Sequence, residues 1–312
     1  MRINREYWEK GFSEFFRGEV LFDADMKGLT SLGIGGPADL VVMPEEPVSV
    51  RNIIIMFRRE GIPYSAIGSG TNLLVKDGGI EGVLIKLDVF KRTEVIEDRK
   101  DQVQLFVEAG LRLQHLVNFC SEKGYSGIEG LTGIPGTIGG AICGNAGSYG
   151  CEMKDVIQSA VIIRKDGSLE RKDAAELGFG YRRSNISGDD ILLSANIILK
   201  KDDPVKVAAR AKEFFLSKKS TQPVSERSAG CVFRNPEGAS AGKLIDEAGC
   251  KGMRQGGIEV SPMHANFFIN RDGGTASDFL LLMDAVAKRV KEASGVQLEP
   301  EIKITGKDYD GR

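Results

Sequence analysis

Residues 133–147 read GIPGTIGGAICGNAG. Six of the fifteen are glycine and none is charged. Glycine loses more conformational freedom on folding than any other residue. It is used where the chain must take φ > 0 or where another group approaches the backbone closely. A solvent loop would normally carry charge, whereas an uncharged, side-chain-poor stretch suits a cradle of peptide amides around a large ligand. Two further glycine-rich segments lie upstream, SLGIGGPADL (31–40) and AIGSGTNLLV (66–75). The second sets Gly68, Ser69, Gly70, Thr71 and Asn72 in a row between strand-like runs. Consecutive amides in such a turn form an anion-binding concavity, and the hydroxyls add donors. No Gly-Lys-Ser/Thr follows, so this is not a Walker loop. NLLVKDGG runs into strand and turn, not into a long helix, which disfavours a nicotinamide-type doubly wound fold.

The rest of the chain bounds the answer. It has 312 residues, 41% hydrophobic and 28% charged, with a formal net charge of −2. That length carries two or three domains and ample core, and the charge balance does not call for nucleic acid or an anionic membrane. Apolar runs such as ILLSANIIL (191–199) are far too short to span a bilayer. MRINREYWEKGFSEFF at the start has charges throughout and no apolar core region. It therefore reads as a short amphipathic helix or a loose arm, not a secretory signal. Five cysteines without a CxxC pair, and only His115 and His264 as histidines, argue against a disulfide framework and against a metal site. Reduced thiols and a cytoplasmic location follow as expectations.

Local patterns place the elements. DLVVM (39–43), YSAIG (64–68), NLLV (72–75), GVLIKL (82–87), VQLFVEAG (103–110) and ILLSANIILK (191–200) read as strands. Helical spacing runs over 47–60, stopping at Gly61, and over 111–124. AVIIRKDGSLERKD (160–173) is a hairpin around Asp166-Gly167. Residues 202–220 form a helix with Asp before Pro204, and 240–249 a shorter one. TASDFLLLMDAVAKRVKEASG (275–295) opens on a Thr-x-x-Asp capping pattern and ends at Gly295. NFFIN (266–270) and EIKITG (301–306) are strands. The expected fold class is α+β. The expected division is an N-terminal arm over 1–20, two lobes over 21–88 and 89–203 carrying the glycine loops, and a C-terminal α/β domain over 204–312.

GIPGTIGGAICGNAGSYG (133–150) and IGSGTNLLVKDGGIEGVLI (67–85) resemble the two flavin-cradling segments of the UDP-N-acetylenolpyruvoylglucosamine reductase family. TSLGIGGPADL (30–40), FGYRRSNI (179–186), SAGCVFRNP (228–236), AGKLIDEAGCKG (241–252), SPMHANFFIN (261–270) and QLEPEIKITG (297–306) match in the family's order, over roughly residues 20–306. The resemblance implies a two-lobed FAD-binding domain of the vanillyl-alcohol-oxidase type and a C-terminal substrate-binding domain. It implies non-covalent FAD held by Gly68, Ser69, Gly70, Thr71, Asn72, Gly133, Pro135, Gly136, Thr137, Gly139, Gly140 and Ala141. It further implies NADPH as hydride donor, UDP-N-acetylglucosamine enolpyruvate as substrate, a role in peptidoglycan precursor synthesis, and no metal, nucleic-acid or membrane partner. A monomer is expected. The short links around SAGCVF resemble the form of the family that lacks an extra loop with a substrate-contacting tyrosine.

Three residues carry the implied chemistry. Arg182 in FGYRRSN matches the arginine that holds the substrate carboxylate, where a planar guanidinium suits a carboxylate becoming an enediolate. Composition alone does not separate it from Arg183. Glu301 in LEPEIKI matches the active-site glutamate, although Glu299 lies on the same face by strand period. Cys231 in SAGCVF departs from the family's commoner serine, the proton donor. Thiols as a class ionise near about 8.5, so cysteine keeps the geometry and gives up a proton more readily. Tyr149, Tyr181, Asn235 and Lys243 are candidates for contacting the substrate, and His264 and His115 read as structural. The alternative reading is another FAD oxidoreductase on the same scaffold acting on a small hydroxy substrate. A catalytically silent nucleotide-binding module is weaker still, given Arg182, Cys231 and Glu301.

Overall fold

The computed structural model describes residues 5–309. Its elements are mixed helix and strand in irregular order, as an α+β chain requires. The largest sheet has six strands, and five follow the order Leu169–Asp173, Ile157–Ile163, Ile191–Lys201, Gln102–Glu108, Thr93–Asp98. The sixth, Tyr125–Ser126, pairs beside them with Ile191–Lys201. The central strand Ile191–Lys201 is apolar and buried along most of its length, the pattern of a strand covered on both faces. It runs antiparallel to both neighbours, with Ala195 opposite Val107 and Ala160. A four-stranded sheet combines Gly18–Asp25, Pro37–Pro44, Ile80–Ile85 and Tyr64–Ala66 in that order.

The helices follow from apolar spacing and their end signals. Pro47–Arg59 starts on proline, whose missing N–H costs nothing in a first turn. It buries Val50, Ile53, Ile54 and Phe57 on one stripe. Each such side chain contributes about 1.5–3 kcal/mol on burial. Leu113–Lys123 ends at Gly124 with φ 73°, where a Cβ would lie 2.4 Å from the Asp202 carbonyl oxygen. Ala276–Ser294 has its Thr275–Asp278 capping box formed in both directions and buries Phe279, Leu282, Met283, Val286 and Val290.

The chain divides into two compact units, neither contiguous in sequence. The first comprises 1–22, 40–69 and 82–217, and the second 23–39, 70–81 and 218–312. The sequence-based division into consecutive blocks differs from this grouping because pairing between distant segments, not order along the chain, holds each unit. In the first unit Trp8 and Phe12 of helix Arg5–Phe15 are buried, with Trp8 5.6 Å from the Phe57 ring, so this stretch is a packed helix and not a loose arm. Residues 1–4 of that expected arm lie outside the described residues. In the second unit Lys303–Thr305 pairs in parallel with Leu73–Val75, joining the last strand to an early one. Asn270 Nδ2 donates to Leu32 O at 2.9 Å, and Asp77 accepts from the amides of Ala276 and Ser277 at 2.8 and 2.9 Å. Leu32, Ile34 and Leu74 thereby share a core with Phe233, Phe268 and Phe279.

The hairpin around Asp166-Gly167 is present, with a longer turn than two residues. Arg164 N donates to Ser168 O at 2.8 Å, and Ser168 N to Asp166 Oδ1 at 2.9 Å. Among the elements that escaped the sequence reading are two of the longer strands. Gly18–Asp25 is mostly exposed or half-exposed, and Thr93–Asp98 exposes five of its six residues, so neither shows clean apolar alternation.

His264 is partly buried against Phe267, with ring centroids 4.8 Å apart. Burial holds its imidazole below the ordinary histidine value, and Lys251 adds to the effect. The folded protein therefore binds fewer protons here than the unfolded chain. Its contribution to stability is complete above the unfolded value of about 6.5 and is lost as pH falls from there toward the folded value. The thermal unfolding midpoint is expected to be lower at pH 5.5 than at pH 7.5, and His264→Gln to remove part of that difference. An unchanged pH dependence in the variant would show that His264 is not the titrating group.

Candidate functional site

The glycine-rich segment is held against residues 109–114 in the first unit. Leu113 N donates to Gly136 O at 3.0 Å, Ile138 N to Leu111 O at 2.8 Å and Gly139 N to Ala109 O at 2.8 Å. Thr137 caps the short helix Ile138–Cys143, its hydroxyl accepting from Gly140 N at 3.4 Å. Gly133 N donates to Gln114 Oε1 at 2.6 Å. Pro135 lies between these anchored points, and Ala141 is buried in the helix. The other loop meets this segment at Gly68, where a Cβ would stand 2.6 Å from Thr137 Oγ1. The buried Lys86 ammonium donates to Gly68 O at 3.2 Å and pairs with Asp88 at 3.4 Å.

The amides of Gly68, Ser69, Gly136 and Thr137 donate to no other group among the described residues. Backbone donors removed from strand and helix are otherwise satisfied, so amides of this kind on two loops that meet at Gly68 and Thr137 suit an anionic ligand such as a diphosphate. The residues present therefore fit FAD. Gly68→Ala tests the cradle, since the added methyl collides with Thr137 Oγ1. The purified variant is expected to retain less than about a tenth of the wild-type flavin, read from absorbance, while keeping its circular dichroism. Full flavin content would place the cradle elsewhere.

Gly70, Thr71 and Asn72 belong to the second unit. Gly70 O accepts from Ser31 N at 3.2 Å. The Asn72 side chain donates to Glu301 O at 3.4 Å, and its own carbonyl accepts from Lys303 N at 3.1 Å. Asn72 thus ties the early loop to the segment that carries Glu301.

Cys231 and Glu301 are brought onto adjoining segments of the same unit. Cys231 bridges Phe267, Phe233 bridges Pro300, and Glu301 N donates to Val232 O at 2.8 Å. Val232 N donates to Asn266 O at 2.8 Å, and the buried Asn266 side chain accepts from Phe233 N at 2.9 Å and donates to Phe233 O at 2.7 Å. Glu301 precedes the strand Lys303–Thr305 and does not lie on it. It is partly buried, whereas Glu299 is exposed. The structure therefore separates two carboxylates that strand period left equivalent.

Arg182 stands in the first unit with φ 55°. Its Nη2 donates to Gly147 O at 3.0 Å, and its guanidinium lies 5.3 Å from the Tyr181 ring centroid. With Tyr181, Gly147, Ser148, Cys151 and Glu152 it lines a cavity of about 340 Å³. Arg183 is exposed. Tyr149 stacks on Phe214, with centroids 4.8 Å apart and planes 17° apart. Asn235 Oδ1 accepts from Ala241 N at 3.0 Å, ahead of the helix Ala241–Glu247. Lys243 is exposed and pairs with Glu247 at 3.6 Å. His115 starts a helix turn through its amide, which donates to Arg112 O at 3.0 Å. Two residues passed unnoticed in the sequence. Lys86 looks like any strand-end lysine until its ammonium is seen buried. Arg234 has a buried Nε with no partner among the described residues. No group of three or more histidine, cysteine or acidic side chains is placed to hold a metal ion among the described residues.

A family model described as UDP-N-acetylenolpyruvoylglucosamine reductase, C-terminal domain, matches residues 222–305, and an FAD binding domain model matches 38–172. The UDP-N-acetylenolpyruvoylglucosamine reductase of Desulfosudis oleivorans is 40% identical over 311 residues, covering 96% of this chain and 99% of that protein. The chain belongs to the UDP-N-acetylenolpyruvoylglucosamine reductase family. The reductase of Syntrophus aciditrophicus is 37% identical over 291 residues, 93% of each chain. The crystal structure of the reductase from Thermus caldophilus superposes with a TM-score of 0.79 at 35% identity, covering 93% of this chain and 99% of that one. The FAD-binding match contains the Gly68 loop and the Gly133–Ala141 segment, and the C-terminal match contains Cys231 and Glu301. The expected pairing of an FAD-binding region with a reductase C-terminal domain is what the chain has.

Proposed function

We propose that the protein reduces UDP-N-acetylglucosamine enolpyruvate to UDP-N-acetylmuramate, with NADPH as the source of hydride, as a step of peptidoglycan precursor synthesis in the cytoplasm. The observation that supports this most is the near full-length likeness to reductases of that name, across a range that includes Arg182, Cys231 and Glu301. No helix among the described residues is long and apolar enough to cross a membrane.

FAD, when bound, would supply hydride for the enol-ether double bond, and the amides of Gly68, Ser69, Gly136 and Thr137, with the Thr137 hydroxyl, would hold its diphosphate. Hydride addition at one alkene carbon leaves negative charge on the carbon that bears the carboxylate. Arg182 binds that carboxylate, and its guanidinium stabilises the charge as it spreads onto the two oxygens. Cys231 gives the Sγ proton to the carbanion carbon, which completes reduction of the double bond, and solvent restores the thiol. Glu301 positions the reacting end of the substrate. Tyr149, Tyr181, Asn235 and Lys243 are assigned to the sugar nucleotide.

Anaerobic reduction of the holoprotein by NADPH, followed by addition of the enolpyruvyl substrate, tests the reading. The flavin absorbance is expected to bleach and then return without oxygen. Flavin that stays bleached with substrate present would overturn the assignment in favour of an oxidase on this scaffold.

A further inference from the structure

We propose that Asn145 is a positioning residue for the carboxylate-binding arginine, holding the 180–184 loop in register with the end of the glycine-rich segment. The proposal rests on the reading of Arg182 given above.

Asn145 is fully buried and uses both ends of its amide. Nδ2 donates to Gly180 O and to Glu152 Oε2, each at 3.0 Å, and Oδ1 accepts from Lys154 N at 3.0 Å. A backbone N–H can only donate and a backbone carbonyl can only accept, so these partners set the orientation of the amide. Its own N–H donates to Ile142 O at 3.0 Å, which continues the helix Ile138–Cys143 that begins at the flavin cradle. A second tie comes from the other end of the loop, where Ser184 Oγ donates to Cys143 O at 2.9 Å. Between the ties, Gly180 and Arg183 exchange backbone bonds at 3.0 and 3.2 Å. Arg182 stands at the apex and reaches Gly147 O.

The backbone supports the same conclusion. Asp23, Asn145, Tyr149 and Arg182 are the described non-glycine residues with positive φ, and Asn145 and Arg182 belong to this node. Asparagine takes the left-handed region readily, but arginine does not. A strained residue of that kind persists only where surrounding bonds over-determine it. Asn145 and Ser184 supply those bonds. An aspartate at 145 would keep the volume and set a carboxylate oxygen against Gly180 O and Glu152 in place of a donor, which removes the tie.

The test uses holoprotein and two ligands. UDP-N-acetylmuramate carries a lactyl carboxylate and UDP-N-acetylglucosamine does not. Calorimetry on Asn145→Asp is expected to show at least tenfold weaker binding of the first and binding of the second within twofold of wild type. Combining it with Arg182→Ala should weaken the first ligand no further than Arg182→Ala alone. Ser184→Ala is expected to follow the same pattern at about threefold, and it decides alone if Asn145→Asp yields no folded holoprotein. Equal loss of both ligands, unchanged affinity, or multiplicative losses in the double variant would each overturn the proposal. Unchanged binding by Arg182→Ala itself would sink the reading of Arg182 and this proposal together. Normal loss in Arg182→Ala beside unaffected Asn145→Asp and Ser184→Ala would sink this proposal alone.

Discussion

Replacing Cys231 with alanine is expected to lower turnover by about 10²–10⁴-fold, the range that a positioned general acid supplies. The methyl side chain has no proton to give, so the carbanion formed by hydride addition must wait for water. Bleaching of the flavin by NADPH should proceed at the wild-type rate, because that half of the reaction precedes the proton transfer. Cys231→Ser should keep turnover within about tenfold of wild type, since the hydroxyl occupies the same place and serves the same role. An alanine variant with wild-type turnover would remove Cys231 from the mechanism. A serine variant as slow as the alanine variant would show that the donor must be a thiol.

Arg182→Ala carries the second large effect. A donor aimed where charge develops is worth about 10²–10³ in kcat, or about 2.7–4 kcal/mol of barrier. The variant should lose that much in substrate-driven reoxidation of reduced flavin. Arg182→Lys should recover only part of the loss, because an ammonium presents a point charge where the guanidinium offers two parallel donors. Loss of the Gly147 contact is not the cause of the effect if NADPH-dependent bleaching and flavin content stay at wild-type levels. An alanine variant within threefold of wild type would reassign the carboxylate to another cation. Arg183→Ala is the matched control, since its neighbour at 183 is exposed and outside the cavity that Arg182 lines.

Some of this site was legible residue by residue. The uncharged glycine run announced a backbone cradle, and the structure places unpartnered amides there. The cysteine in SAGCVF stood out because serine is the commoner residue of the pattern. Other assignments could not be separated without coordinates. Glu299 and Glu301 share a strand period, and Pro300 between them bridges Phe233. The backbone bonds at Arg234 and Val232 then leave Glu299 in water and Glu301 partly buried. Asn145 reads in sequence as one more turn residue among glycines. Only the partners of its amide, seven to thirty-five residues away, give it a role.

The amino-acid sequence by itself determined the elements whose signals are local. The helix at 276–294 carries its own capping box and apolar stripe, and that at 47–59 its initial proline and its run of buried positions. Each is set by the 3.6-residue period and by which end groups lack intrahelical partners. The tertiary structure alone decided that Lys303–Thr305 lies beside Leu73–Val75, that Leu32 enters the core of Phe268 and Phe279, and that Arg182 is held in a left-handed turn. Those outcomes depend on hydrogen bonds and apolar contacts between segments far apart in the chain. A short window of residues cannot encode them, because its backbone groups are equally satisfied by several partners until the fold brings one of them near.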